Sequence, residues 1–191
     1  MSIIHFEKNG KYALVGKSGS GKTTLIKIML GQLGNYQGKI YYDGEEISSF
    51  DGNTYYEQMA YIEQDVYLFD CSIRDITLGS DFPEEKMQEV LDMSALQNDL
   101  KTLPDGLDTK VGENGKNLSG GQKRRVAIRA LIHNRTILFV DEGTSALDKE
   151  NAALVEEALL ACPTLTLILI THHLKEENIS LYDKIYSLSY E

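Results

Sequence analysis

The sequence predicts an α/β fold: a core built on a mostly parallel sheet, a small antiparallel β-region and an inserted α-helical lobe. Three observations carry that reading. Thr136-Ile137-Leu138-Phe139-Val140 and Thr164–Ile170 are apolar on both faces, as central strands of a parallel sheet covered on both sides must be. Tyr12-Ala13-Leu14-Val15 reads as a buried strand running into a glycine-rich loop, and Thr24–Leu30 as a helix leaving it. From Leu68 to Asn134 the pattern turns mostly helical. The chain of 191 residues is long enough for one domain with a real core. Residues 1–67 and 135–191 are expected to form the core and β-region, and 68–134 the lobe.

Taken in order, Ile3–Phe6 reads as the tail of a strand, with Asn9-Gly10 turning the chain into the next one. The helix after the glycine loop is expected to stop near Leu33-Gly34, glycine being the usual terminator. Gly38–Ile47 has the form strand, Asp43-Gly44 turn, strand, a hairpin signal. Met59–Ile62 is a further apolar strand, and the neighbouring tyrosines Tyr41, Tyr42, Tyr55, Tyr56 and Tyr61 read as packing. Helical periodicity over Glu84–Met93 and Ala95–Leu103 is broken by Pro104-Asp105-Gly106. Asn151–Cys162 reads as an amphipathic helix closed by Pro163, and Asp183–Leu188 as a last short strand.

The bulk chemistry narrows the function classes. With 42% hydrophobic and 25% charged residues, the composition is that of an ordinary globular protein. A formal net charge of −10 argues against a nucleic-acid or anionic-membrane surface, which calls for a basic excess. Cys71 and Cys162 are the two cysteines, with no C-x-x-C pair, which fits a reducing compartment. Neither a bilayer-spanning apolar run nor a signal peptide is read, so the chain is expected to be soluble.

Gly16-Lys17-Ser18-Gly19-Ser20-Gly21-Lys22-Thr23 fits G-x-x-x-x-G-K-[S/T], the phosphate-binding loop of a P-loop NTPase core. Glycines let backbone N–H groups close around phosphates, and a lysine and a hydroxyl complete the cradle. Strand, loop and helix in that order aim a helix N-terminus at an anion. Asp141-Glu142 follows the strand Ile137–Val140, at the strand end where α/β folds bind ligands. An aspartate there, with Thr23, suits a Mg²⁺ ion, and Glu142 could orient or deprotonate a water. Leu118-Ser119-Gly120-Gly121-Gln122 opens a second helix whose cap and glycines make another anion site. One nucleotide does not need two such cradles from one chain, so the second is expected to serve a nucleotide held by another copy.

Leu118–Gln122 is similar to the signature motif of ABC ATPases, the nucleotide-binding domains of ABC transporters. The other motifs follow the family's order: Gly16–Thr23 resembles Walker A, Gln64 the Q-loop glutamine and Ile137–Glu142 Walker B with its glutamate. Ser145-Ala146-Leu147-Asp148 resembles the D-loop, and His172 after Ile170-Thr171 the switch histidine. Thr109–Gly115 is similar to the X-loop of exporters, and Tyr67-Leu68-Phe69 with Ser72–Ile76 is likewise exporter-like.

The resemblance implies two copies bound head to tail around two ATP molecules, on the cytoplasmic face of a membrane and attached through transmembrane domains, with no nucleic-acid partner. Gly16, Ser18, Gly19, Ser20, Gly21, Lys22, Thr23, Thr24 and Gln64 would bind the nucleotide of one site. Ser119, Gly120, Gly121, Gln122 and Asp148 would complete the other. Thr23, Gln64 and Asp141 would hold Mg²⁺, and Glu142, His172 and Lys22 would carry the chemistry. Members usually begin with an earlier strand and an adenine-stacking aromatic. Here Met1 lies fifteen residues before Gly16, so the expectation is a domain trimmed at both ends that binds the base weakly. An importer subunit, a soluble ABC ATPase and a non-catalytic dimerisation module are the alternatives. The −10 charge and the X-loop count against the soluble one.

Overall fold

The computed structural model describes residues 3–50, 57–62, 67–77, 96–132, 135–141, 156–172, 174 and 176–189. Two compact units emerge, one of residues 1–61, 134–141 and 165–191, the other of 62–133 and 142–164.

The first unit is built on a five-stranded sheet ordered β4-β5-β6-β1-β7. Its strands are β1 (Lys11–Val15), β4 (Met59–Ile62), β5 (Ile137–Asp141), β6 (Thr166–Thr171) and β7 (Lys184–Ser187). β1 pairs in parallel with β6 and β7, and β5 with β6. The apolar runs of β5 and β6 are buried nearly throughout, as their sequence requires. Tyr12, Leu14, Ile26, Phe139, Ile168 and Ile170 form one core cluster. The two short strands β2 (Tyr41–Tyr42) and β3 (Glu45–Glu46) pair antiparallel. Asp43 and Gly44 turn between them with φ of 49° and 85°, the two positive values a tight hairpin demands.

Helix α1 (Lys22–Met29) ends earlier than its apolar pattern suggests. Gly31, not Gly34, stops it: the N–H of Gly31 reaches the Ile28 carbonyl and that of Gln32 the Lys27 carbonyl. That paired closure with a left-handed glycine is the Schellman motif. The N-terminal segment departs from expectation as well, because residues 3–6 form no strand. Tyrosine hydroxyls take the place of a ladder. Tyr186 Oη accepts from the His5 N–H and donates to the His5 carbonyl, while Tyr12 Oη accepts from the Glu7 N–H. Phe6 packs edge-on against both rings.

The second unit has its own core of Leu68, Ile73, Leu96, Val111, Val126 and Ala127. Helices α2 (Ile73–Thr77), α3 (Gln97–Leu100) and α4 (Gly120–Ile132) lie in it. The expected helix over Glu84–Met93 falls outside the described residues. Of Ala95–Leu103, α3 is the helical part. Arg125 of α4 donates to Asp99 from Nε and Nη2, at 2.5 and 2.8 Å. This fork is nearly buried, with side chains 7% and 12% exposed.

Candidate functional site

Gly16 leaves β1 and the loop turns at once, with the Ser20 N–H donating to the Lys17 carbonyl. Gly19 and Gly21 have φ of 80° and 87°, values that favour glycine over any L side chain. Gly21 is also the N-cap of α1 and supplies no side-chain hydrogen bond. The first N–H groups of the helix are therefore directed at the loop, with the positive end of the helix dipole behind them. Lys22 is 5% exposed. Its ammonium donates to the carbonyls of Gly16 and Lys17 at 2.7 and 3.0 Å, and lies 3.5 Å from Ser20 Oγ. An anion in the loop would meet backbone N–H groups and a fixed ammonium together, the donor set a phosphate takes.

Asp141 ends β5, two strands from β1 in the sheet order. Its Oδ2 accepts from Thr23 Oγ1 at 2.7 Å and from Tyr61 Oη at 3.1 Å. The Thr23 hydroxyl thus points its proton at a carboxylate and keeps its lone pairs for something else. A hydroxyl and a carboxylate beside a phosphate loop are hard oxygen donors, the kind Mg²⁺ prefers. Among the described residues no group of three or more His, Cys, Asp or Glu could hold a metal ion. One carboxylate, a hydroxyl and phosphate oxygens are what Mg²⁺ uses instead. His172 follows β6 and is exposed. Its Nδ1 lies 2.9 Å from the Gly16 carbonyl, which brings the ring to the rim of the loop.

The second anion-type motif lies in the other unit. Ser119 caps α4 through a reciprocal pair: its Oγ accepts from the Gln122 N–H at 3.2 Å, and Gln122 Oε1 accepts from the Ser119 N–H at 2.9 Å. This is a capping box. It starts α4 at Gly120 and leaves the Ser119 hydroxyl proton available to an acceptor. Lys123 Nζ donates to Asn114 Oδ1 at 2.7 Å, tying the segment before the motif to the helix.

Gly16, Lys22, Thr23, Asp141 and His172 are thus gathered on one face of one unit, with Ser18, Gly19, Ser20, Gly21 and Thr24 around the loop. Ser119, Gly120, Gly121 and Gln122 are set together in the other unit. Gln64, Glu142 and Asp148 lie outside the described residues. Tyr61 is the residue the sequence reading missed as a site residue, because an aromatic on a strand signals packing first.

An α/β sheet whose first strand feeds a glycine loop, with a carboxylate bonded to the loop's threonine, defines a phosphate-loop nucleotide-binding protein. A family model described as ABC transporter matches residues 3–145. The chain belongs to the ABC transporter family, as a nucleotide-binding domain. Multidrug resistance protein pgp-1 of Caenorhabditis elegans is 42% identical over 168 residues, 85% of this chain and 13% of that protein. Heterocyst differentiation ATP-binding protein HepA of Nostoc sp. is 38% identical over 186 residues, 95% of this chain and 30% of that protein. A bacterial Atm1-family ABC exporter solved with ATP bound matches with a TM-score of 0.79 at 32% identity, over 96% of this chain and 32% of that one. The chain spans at most 32% of the length of these three. Among the described residues no helix is long and apolar enough to cross a membrane.

Proposed function

We propose that the chain is the ATP-hydrolysing domain of an ABC exporter, binding ATP with Mg²⁺ and working as one half of a head-to-tail pair. The carrying observation is the Thr23–Asp141 bond at 2.7 Å beside a glycine loop whose helix has no side-chain cap. A multidrug resistance protein and a multidrug transporter among the relatives, with an exporter among the solved structures, favour the exporter over an importer subunit or a soluble ATPase.

The loop from Gly16 to Thr24 holds the phosphates, with Lys22 on the β and γ groups. Thr23 and Asp141, joined by Gln64, hold Mg²⁺. Bound there, the ion neutralises charge on the β and γ oxygens. Glu142 orients and polarises the attacking water, and His172, already against the Gly16 carbonyl, steadies the γ-phosphate as it leaves. Phosphoryl transfer is mostly positioning and charge stabilisation, so a site lacking half its donors is slow. Ser119–Gln122 and Asp148 of the second copy supply that half, the Ser119 hydroxyl donating to the γ-phosphate. The whole chain serves as one nucleotide-binding domain, with 68–134 as its helical lobe. Transmembrane domains hold it at the cytoplasmic face of the membrane.

The test is ATP turnover per chain measured across a wide range of protein concentration with Mg²⁺ present. Turnover per chain should climb in proportion to concentration while pairs are rare, by mass action. A rate per chain that does not change on dilution would count against the shared site.

A further inference from the structure

Asp141 is held by two hydroxyls, and the phosphate loop supplies just one of them. The other comes from Tyr61 in β4, where Ala60 and Ile62 are buried at 6% and 1% exposure. Strand alternation puts Tyr61 on the opposite face, packed against the cluster that holds Ile26 and Phe139. β4 is the neighbour of β5 in the sheet, so a phenol one strand away from Asp141 spans the gap and reaches Oδ2 at 3.1 Å.

We propose that Tyr61 is a positioning residue for Asp141, fixing the carboxylate for Mg²⁺. Two donors on Oδ2, arriving from α1 and from β4, stop the carboxylate from turning about its last bond and give Oδ1 a set direction. They are not equivalent. Thr23 is expected to hold the ion, so its hydroxyl is pulled two ways. Tyr61 donates from a strand outside the phosphate loop and keeps the carboxylate in register while Thr23 responds. Partners of a ligating carboxylate set metal affinity without touching the metal. The inference rests on the reading of this site as one for ATP and Mg²⁺.

Tyr61→Phe removes the hydroxyl and keeps the ring, so the packing survives. The experiment is calorimetric titration of ATP into the 191-residue chain, in EDTA and at stepped Mg²⁺ concentrations. In Tyr61→Phe the Mg²⁺ concentration that half-saturates its effect on ATP binding should rise about tenfold. Affinity for ATP in EDTA should stay within about twofold of the parent, since the phosphate cradle is untouched. In an Asp141→Asn background the same substitution should produce no shift, because Tyr61 acts through that carboxylate. An unchanged Mg²⁺ requirement, equal weakening in both arms, or a shift that persists with Asn at 141 would each overturn the role. A parent chain that binds ATP with no response to Mg²⁺ would instead overturn the proposed site, and this inference with it.

Discussion

Gly16 shows how tightly the loop is built into the sheet. A Cβ placed on it would lie 2.5 Å from the Leu188 carbonyl oxygen and 2.6 Å from Ser20 Oγ. The serine can rotate, but the carbonyl is backbone, and the Leu188 N–H is already bonded to the Val15 carbonyl. Gly16→Ala should therefore push the loop away from the end of β7 and cost about 1–3 kcal/mol, the usual range for overpacking. Urea unfolding measures it, and a midpoint equal to the parent's would mean that the close approach is not a real constraint. Lys22, Thr23 and Asp141 stand out in the sequence through the glycine-loop motif and the carboxylate ending an apolar strand, whereas His172 stands out only through the family resemblance. Tyr61 could not: only the pairing order of the sheet, set by residues far from it, brings its hydroxyl to Asp141.

At the level of elements, the parallel strands were legible because burial on both faces forces an unbroken apolar run. Element ends were harder. The apolar residues Leu30 and Leu33 prolong the helical pattern past Gly31, and only the backbone hydrogen bonds show where α1 stops. Ile3–Phe6 has the pattern of a strand, yet the Tyr186 hydroxyl of β7 pairs with both backbone groups of His5, and the Tyr12 hydroxyl of β1 with the N–H of the following Glu7. The Asp99–Arg125 fork between α3 and α4 gave no sequence signal at all, since its partners are far apart in the chain. Asp99→Ala should strip a nearly buried guanidinium of its carboxylate and destabilise the chain by about 3–5 kcal/mol. A loss below about 1 kcal/mol in urea would show that the pair behaves as a surface one.

Helix α2 carries a pH-dependent cap. Asp75 Oδ2 accepts from the hydroxyl and the N–H of Ser72, and Ser72 Oγ accepts from the Asp75 N–H. The Ser72 hydroxyl, and then its N–H, hold the Asp75 carboxyl below the ordinary aspartate value. A folded-state pKa below the unfolded one stabilises the fold above the unfolded value, and that share is lost as pH falls through the folded one. The difference in melting temperature between the parent and Asp75→Ala should thus persist near neutrality and shrink as the pH drops below the ordinary aspartate range. A gap that stays constant down to pH 3 would remove the carboxylate from the cap.

For the molecule as a whole, the two anion-type motifs lie in different units, and on the proposed reading each is half of what a fast ATPase needs. The phosphate loop brings ammonium, hydroxyl and carboxylate together in one unit. The Ser119 cap brings a hydroxyl proton and two glycines in the other. The acidic composition argues against a nucleic-acid surface, while the proposed pairing comes from the duplicated anion chemistry and the family resemblance. Glu142, the proposed base, joins the two ideas, because removing its carboxylate should stop turnover without disturbing the phosphates. The decisive measurement is the mass of Glu142→Gln by light scattering, with and without ATP and Mg²⁺. If the site is shared between two copies, this variant is a monomer without nucleotide and a dimer with it, at no measurable turnover. A chain that stays monomeric with ATP bound, or that hydrolyses ATP as fast as the parent, would contradict it.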